Sequence, residues 1–170
     1  MGGRRRETQE RTERFSELCH QEYQRVLRTA FLMTGNREEA RDLAQEACVL
    51  AYRKWNHVGE LDRPGAWLQR TVANLSLAWR RKHRPRESLP ANVGAVPPPE
   101  LADPELMAAL RRLSPAQLGV IVLRYYADQS IDEVARALGK RPGTVRALTS
   151  QGLARLRRDL EREEAAHEAR

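Results

Sequence analysis

The 170-residue chain is poor in cysteine and aromatic residues and has no long uncharged apolar run. Cys19 and Cys48 are its two cysteines, without a C-x-x-C spacing or a histidine cluster, so neither a zinc site nor a disulfide is expected and both thiols should be reduced. The grouped carboxylates and histidines of an enzyme are also missing, so no catalytic residue, metal or cofactor is predicted. Without a membrane span or a secretory signal, a cytoplasmic protein is expected.

The chain is rich in positively charged residues. Thirty Lys and Arg residues stand against 23 Asp and Glu, which gives a formal net charge of +7. Such a surface suits nucleic acid, although a merely solvated basic surface has the same total. Residues 1–14, with three consecutive arginines, predict a disordered basic arm that contacts DNA without sequence preference. Residues 161–170 predict a polar tail.

Apolar residues recur at helical spacing along most of the chain, and alternating strand patterns are absent. Residues 15–84 hold three helical patterns, and residues 104–160 hold a second set. Between them, residues 85–103 are rich in proline and have little apolar periodicity, which is typical of a flexible linker. The sequence therefore predicts an all-α protein of two small helical domains joined by a proline-rich linker.

The clearest local motif is SIDEVARALGKRPGTVRAL, residues 130–148, in which one helical pattern stops and another starts at once. Gly139 fits the left-handed end of the first helix, and Pro142 fits the first turn of the second. This pattern indicates a helix-turn-helix, whose second helix reads the major groove with its N-terminal turns. An αα-hairpin with a solvated polar face is the alternative. The candidate DNA-contacting residues are Lys140, Arg141, Thr144, Arg146, Ala147, Ser150 and Gln151.

Two further clusters lie in the first half of the chain. The stretch WRRKHRPR carries five cations at a predicted helix end, just after Trp67, Arg70 and Asn74. Aromatic rings beside cations bind unstacked bases, although the helix dipole alone favours cations there and both nearby tryptophans could be core residues. On the preceding helix, Asp42, Gln45 and Glu46 lie opposite the apolar stripe, as either a solvated face or a docking face for a basic partner.

Three ordered motifs together resemble a known family. They are DLAQEACVLAYRKW, PGAWLQRTVANLSLAWRRKHR and LSPAQLGVIVLRYYADQSIDEVARALGKRPGTVRALTSQGLARLR. The chain resembles the extracytoplasmic-function (ECF, group IV) sigma factors of the sigma-70 family, and its second half is similar to the sigma-E-like subgroup. The resemblance covers about residues 15–160 without the linker. It implies a region 2 domain over 15–84 and a region 4 helix-turn-helix domain over 104–160.

The resemblance also implies a role for each cluster. Asp42, Gln45 and Glu46 match the surface that docks on the β′ clamp helices of core RNA polymerase. The helix-turn-helix matches the reader of the −35 promoter element, and its other face meets the β flap. An anti-sigma factor is a further partner that the family often uses. The residues matched to opening and reading the −10 element are Arg63, Arg70, Asn74, Arg80, Arg81 and Lys82.

Other functions explain less of the sequence. A stand-alone helix-turn-helix regulator accounts for the second half but not for the DLAQE face, and it predicts a dimer on a palindromic site. A nuclease needs clustered carboxylates or histidines, and an inert helical interaction protein leaves the basic clusters unexplained. The sequence therefore predicts a sigma factor that directs promoter-specific transcription initiation, with the stand-alone regulator as the alternative.

Overall fold

The computed structural model describes residues 2–83 and 103–168, with side chains from Arg6 onward. Every regular element in these residues is helical, and an all-α fold of two bundles is confirmed. The N-terminal bundle comprises α1 (Gly2–Thr34), α2 (Arg37–Arg53), α3 (Trp55–Val58) and α4 (Pro64–Lys82). The C-terminal bundle comprises α5 (Pro104–Arg112), α6 (Pro115–Ile121), a π-helical turn (Val122–Tyr126), α7 (Ile131–Leu138) and α8 (Pro142–Glu168).

No helix in the described ranges is long and apolar enough to cross a membrane. The predicted linker over residues 85–103 lies outside the described residues, except for Asp103. The Asp103 carboxylate accepts hydrogen bonds from the amides of Glu105 and Leu106 and so caps α5, with Pro104 in the first helical position.

Three other helices, α2, α6 and α7, also begin at residues whose side chains cap them. Ser114 and Ser130 each form a reciprocal capping box with the residue three positions later, as their spacing predicts. Asn36 caps α2 by accepting from the amides of Glu38 and Glu39. The Asn36 amide itself donates to Thr34 Oγ1 at 3.2 Å.

The core of the N-terminal bundle is formed where α1 packs against α2 and α4. Val26, Ala30 and Met33 of α1 are fully buried, facing small residues of α2 such as Ala44 and Ala47. Small side chains let the helix axes approach closely, and each buried Val or Met side chain contributes about 1.5–3 kcal/mol. Two further positions of α4, Leu68 and Val72, are fully buried in the same core.

The predicted disordered arm over residues 1–14 is wrong, since α1 is helical from Gly2. Arg14 donates to the carbonyl oxygen of Gly59 at 2.8 Å, and the Arg11 guanidinium lies 5.8 Å from the centroid of the Tyr52 ring. Phe15 packs edge-on against the rings of Tyr52 and Trp55. These contacts extend α1 beyond its apolar stripe, because Arg11 and Arg14 hold it against the end of α2 and the segment that follows.

The C-terminal bundle is organised around α8. Its buried residues Val145, Gly152 and Leu156 face the other helices of this bundle, and a side chain at Gly152 would lie 3.1 Å from Ile121. The end of α8 is also held, since Glu163 pairs with Arg112 of α5 at 3.1 Å. The predicted polar tail is therefore helical through Glu168.

The two bundles contact each other mainly through α4, and α1 also contacts α5 and the π-helical turn. Leu77 of α4 is buried, and its side chain lies against Gly119 of α6, where a Cβ atom would come within 3.1 Å of it. Because Gly119 has no side chain, α6 can lie close to α4 at this point.

Candidate nucleic-acid interface

The helix-turn-helix is built by α7, a tight turn and the first turns of α8. Gly139 has φ 60° and ψ 37°, a left-handed conformation that costs glycine little, and the Lys140 amide then donates to Ala135 O at 2.9 Å. Val134 and Val145 are fully buried and hold the two helices together. The sequence predicted the role of Gly139 correctly, since that role is set locally.

The predicted reading face of α8 is open to solvent. Lys140 is half-buried, and the other six predicted residues, from Arg141 to Gln151, are exposed. The first turn of α8 holds no acidic residue, so its helix dipole and its arginines both favour a phosphate or a guanine edge. This face can therefore approach duplex DNA without rearrangement of the C-terminal bundle.

The N-terminal bundle presents a pocket of about 370 Å³ beside the predicted −10 residues. Trp67 is half-buried at its edge, rather than enclosed in the core. Arg70 and Asn74 stand one turn apart on α4, and Arg70 is half-buried. An aromatic ring, a guanidinium and an amide around one cavity are groups that stack on and hydrogen-bond an unstacked base. The pocket is lined by Leu50, Lys54, Trp67, Arg70, Thr71, Asn74 and Leu75.

A second cleft of about 440 Å³ adjoins the loop before α4 and is lined by both bundles. Arg63 on this loop pairs with Glu133 of α7 at 2.9 Å. Gln129 and Arg136 of the C-terminal bundle also line it. The sequence did not predict that Gln129, Glu133 and Arg136 would lie beside this loop, because nothing local signals that α7 lies across it.

The prediction of an exposed cationic cluster is wrong for Arg80, which is buried. Its side chain is 5% exposed, and it donates to the carbonyl oxygens of Met33 at 3.2 Å, Arg111 at 2.8 Å and Leu113 at 3.0 Å. Burial lowers the pKa of its guanidinium, since desolvation disfavours the charged form. In this structure Arg80 joins the two bundles and is not exposed at the surface.

The two cations that follow Arg80 are exposed, as expected at a helix end. Arg81 and Lys82 are exposed in the last turn of α4, where the helix dipole favours positive charge. His83 follows them, with its ring stacked on Trp79 at 4.9 Å between centroids. Arg84 and Arg86 lie outside the described residues. The described part of the cluster thus offers two exposed cations rather than three.

The predicted polymerase-docking residues lie together on α2. Asp42, Gln45 and Glu46 are all exposed on the side of α2 away from the core. Two large apolar side chains continue this exposed side, Val49 at 48% and Tyr52 at 45% exposure. The sequence analysis did not single out either side chain, and their exposure adds an apolar contact to an acidic surface.

The two thiols do not form a disulfide. Cys19 of α1 and Cys48 of α2 are half-buried and hydrogen-bonded to each other. This shared hydrogen bond raises the pKa of Cys19 and lowers that of Cys48.

Comparison with known proteins agrees with the geometry. Residues 18–86 match the Sigma-70 region 2 family, and residues 109–158 match the Sigma-70 region 4 family. The RNA polymerase sigma-E factor of Streptomyces avermitilis is 34% identical over 86% of this chain and 85% of its own. The ECF RNA polymerase sigma factor SigW of Bacillus subtilis is 28% identical over 80% of this chain and 83% of its own.

A solved structure shares the fold. The sigma factor RpoE of Bartonella quintana, in complex with the anti-sigma factor NepR, has a TM-score of 0.69 at 21% identity, covering 86% of this chain and 96% of that one. The order of a helical bundle followed by a helix-turn-helix bundle is that of the two Sigma-70 domains that the family models match. The chain belongs to the extracytoplasmic-function, sigma-E-like group of RNA polymerase sigma factors. Sigma factors bind core RNA polymerase and promoter DNA, so the predicted sigma function is supported over the stand-alone regulator.

Proposed function

We propose that this sigma factor works by three separate binding surfaces and no catalytic step. One surface on α2 holds core RNA polymerase, one on α8 holds duplex DNA, and one on α4 holds bases that have left the duplex. Each surface is formed by one helix and its neighbours, so each can be altered without the others. The observation that carries the proposal is the exposed, carboxylate-free start of α8 directly after the left-handed Gly139.

The polymerase contact rests on the α2 surface of Asp42, Gln45, Glu46, Val49 and Tyr52. Its carboxylates favour a basic partner, and its two apolar side chains provide area to bury at the centre of the contact. The clamp helices of the β′ subunit are the proposed partner. The β flap is the proposed partner of the C-terminal bundle, where Tyr125 is 58% and Leu153 is 37% exposed.

The −35 contact is proposed for the first turns of α8. Arg141 and Arg146 can pair with guanine edges or phosphates, Gln151 can pair with adenine, and the methyl groups of Thr144 and Ala147 can contact thymine. The dipole of α8 adds attraction for a backbone phosphate at its N-terminus.

The −10 contact is proposed for the α4 pocket. Trp67 offers a ring face for stacking, while Arg70 and Asn74 offer hydrogen-bond donors to a base or its phosphate. Arg81 and Lys82 at the end of α4 neutralise nearby phosphates. Capture of flipped bases offsets the few kcal/mol lost when they unstack, so promoter opening needs no nucleotide hydrolysis by this chain.

Because the two DNA contacts belong to one chain, each raises the local concentration of the other at its promoter element. Two DNA contacts of modest affinity then give one specific interaction with the promoter. An anti-sigma factor remains a proposed further partner, as the family resemblance implies.

The proposal is tested by adding the purified chain to sigma-free core polymerase on fragmented genomic DNA from its source. Discrete transcript starts, with two shared elements upstream, are the expected result. Binding to duplex DNA without binding to polymerase would instead support the stand-alone regulator. Core polymerase without the chain gives the background of nonspecific starts.

A further inference from the structure

The two cysteines of the chain face each other where α1 packs against α2. A hydrogen bond joins the thiols of Cys19 and Cys48, although the two residues lie on different helices. One helical turn away, Phe15 of α1 packs edge-on against Tyr52 of α2, with 5.1 Å between the ring centroids. Residues four positions apart lie one above the other on a helix, so the ring contact and the thiol contact belong to neighbouring turns of the same interface.

Small side chains allow α1 and α2 to lie close together around this pair. Cys48 stands beside the buried stripe of α2, four residues after Ala44 and three residues before Ala51. Every alanine of this stripe is fully buried, namely Ala40, Ala44, Ala47 and Ala51. A disulfide needs its two Cα atoms about 4.4–6.8 Å apart, and helices whose contact is made of small residues approach each other most closely. The interface is therefore suited to a covalent bond between the helices.

Both thiols can be reached by a small oxidant, and they differ in reactivity. Cys19 and Cys48 are half-buried and thus not sealed in the core. The hydrogen bond between them lowers the pKa of the Cys48 thiol and raises the pKa of the Cys19 thiol. The thiolate is the nucleophilic form of cysteine, so Cys48 should react first with an oxidant. Cys19 is then in place to react with the oxidised sulfur.

We propose that Cys19 and Cys48 form a redox-sensitive modification site, at which a hydroperoxide produces a disulfide between α1 and α2. The Cys48 thiolate attacks one peroxide oxygen, the O–O bond breaks, and Cys48 becomes a sulfenic acid. With hydrogen peroxide, the other oxygen leaves as hydroxide and becomes water by taking the proton that Cys48 had lost. The Cys19 sulfur then attacks the Cys48 sulfur, and the Cys19 proton leaves with the hydroxyl group as a second water.

Two thiols and one hydrogen peroxide thus give one disulfide and two water molecules. A dithiol reductant reverses the reaction by thiol–disulfide exchange, in which the reductant becomes the disulfide. Disulfides that form and break in this way are typical of redox-sensing proteins in reducing compartments.

The disulfide would lie at the edge of the α2 surface that is proposed to bind polymerase. Covalent bonding brings the sulfur atoms of Cys19 and Cys48 closer than a hydrogen bond does, and so draws the two helices together beside the contact of Phe15 with Tyr52. Phe15 is also packed against Trp55, whereas the Tyr52 side chain is 45% exposed, so Tyr52 is the ring that moves. Oxidation should therefore weaken polymerase binding. This consequence rests on the proposed docking surface, whereas the disulfide itself does not.

Treatment of the purified full chain with increasing hydrogen peroxide tests the modification site. The expected result is a monomer that has lost two hydrogen atoms by intact mass and both free thiols by alkylation. Because the chain has two cysteines, such a monomer holds the Cys19–Cys48 bond, which peptide mapping locates. In Cys19→Ser, the reaction should stop at the sulfenic acid of Cys48, which dimedone traps.

A shifted thiol is the matched control for the geometry. Cys19→Ala combined with His20→Cys keeps two thiols but moves one of them to an exposed position on α1. This variant should lose the intramolecular disulfide at the peroxide concentration that oxidises the wild type, and circular dichroism checks that it is folded. The modification site is overturned if the wild type keeps two free thiols or forms only disulfides between chains. Equally ready bond formation in the shifted variant would also overturn it.

The effect on docking is measured by titrating core polymerase with the reduced and the oxidised chain, after catalase has removed the peroxide. The oxidised wild type should bind about fivefold or more weakly, as when an interface loses one aromatic contact, and a phosphine reductant should restore the affinity. The variant with serine at both Cys19 and Cys48 should bind equally with and without peroxide treatment. Equal affinity of the reduced and oxidised wild type would overturn the effect on docking. Failure of the reduced chain to bind polymerase would instead remove the proposed function, and the disulfide measurements decide the modification site independently of it.

Discussion

The guanidinium of Arg80 donates a hydrogen bond of 2.8 Å to the carbonyl oxygen of Arg111, joining α4 to the end of α5. Two further bonds, to Leu113 at 3.0 Å and Met33 at 3.2 Å, satisfy the same buried side chain. Arg80, a cation at a basic helix end, therefore connects the two bundles. Its neutral replacement leaves three carbonyl oxygens without this donor.

Replacing Arg80 by methionine should lower the free energy of unfolding by about 2–4 kcal/mol, since several buried carbonyl groups lose their donor. Urea unfolding followed by circular dichroism measures this change. Arg81→Met, at the exposed neighbouring position, is the control and should change stability by less than about 0.5 kcal/mol. Equal effects of the two substitutions would contradict the structural role of Arg80.

Arg146→Ala should weaken binding of the holoenzyme to its −35 element by about 1–3 kcal/mol, because a base or phosphate contact is lost. Transcript yields from promoters with single −35 substitutions measure whether discrimination at one base is relaxed. Arg162→Ala removes the same charge near the other end of α8 and should leave promoter preference unchanged. An unaltered preference in Arg146→Ala would remove Arg146 from the reading face.

Glu46→Lys should weaken binding to core polymerase by about tenfold or more, since a like charge would face the proposed basic partner. Titration of labelled polymerase with the chain measures the Kd, and circular dichroism checks that α2 is intact. Glu164→Lys makes the same charge change on the exposed end of α8 and serves as the control. Normal affinity of Glu46→Lys would place the docking surface elsewhere.

Acid should remove part of the stability that the start of α7 contributes. The hydrogen bond from the Ser130 amide, together with Arg63 and Arg136, holds the pKa of Glu133 below its ordinary value of 4.5. A carboxyl group whose pKa is lower in the folded than in the unfolded protein stabilises the fold at pH values above its unfolded pKa. This stabilisation is lost as the pH falls through its folded pKa. The wild type should therefore be more stable than Glu133→Gln at pH 7, and the difference should shrink between about pH 5 and pH 3.

Urea midpoints of both proteins across this range measure the effect. Glu164→Gln, which removes an exposed carboxylate from α8, controls for the general loss of negative charge. A difference between wild type and Glu133→Gln that stays constant with pH would contradict the contribution of the ionised carboxylate.

The helix ends were predictable from sequence because their chemistry is local. Ser114, Ser130 and Gly139 each act within four residues, and all three form the expected caps or turns. The start of α1 was not predictable in the same way. Arg11 and Arg14 are held by groups more than forty positions away, at Tyr52 and Gly59, so residues 1–14 gave no apolar signal of a helix.

Long-range packing also explains the errors at the candidate site. In the sequence, Arg80 is one of five clustered cations. It is a buried hydrogen-bond donor because the end of α5 packs against α4. Tyr125 continues the apolar series after Leu118 and Val122, but the π-helical turn there widens the helix and leaves its ring 58% exposed. The exposure of the predicted α8 residues was recoverable from sequence because it depends on one motif alone.

The central claim is that the two bundles act at two separate promoter elements while both are held on polymerase. Photo-cross-linking residues placed at Ala147 of α8 and at Thr71 of the α4 pocket test it most directly in the open promoter complex. Ala147 should cross-link to duplex DNA at the −35 element, and Thr71 to the unpaired strand at the −10 element. Cross-links from both positions to the same element, or DNA cross-links from neither, would contradict the account.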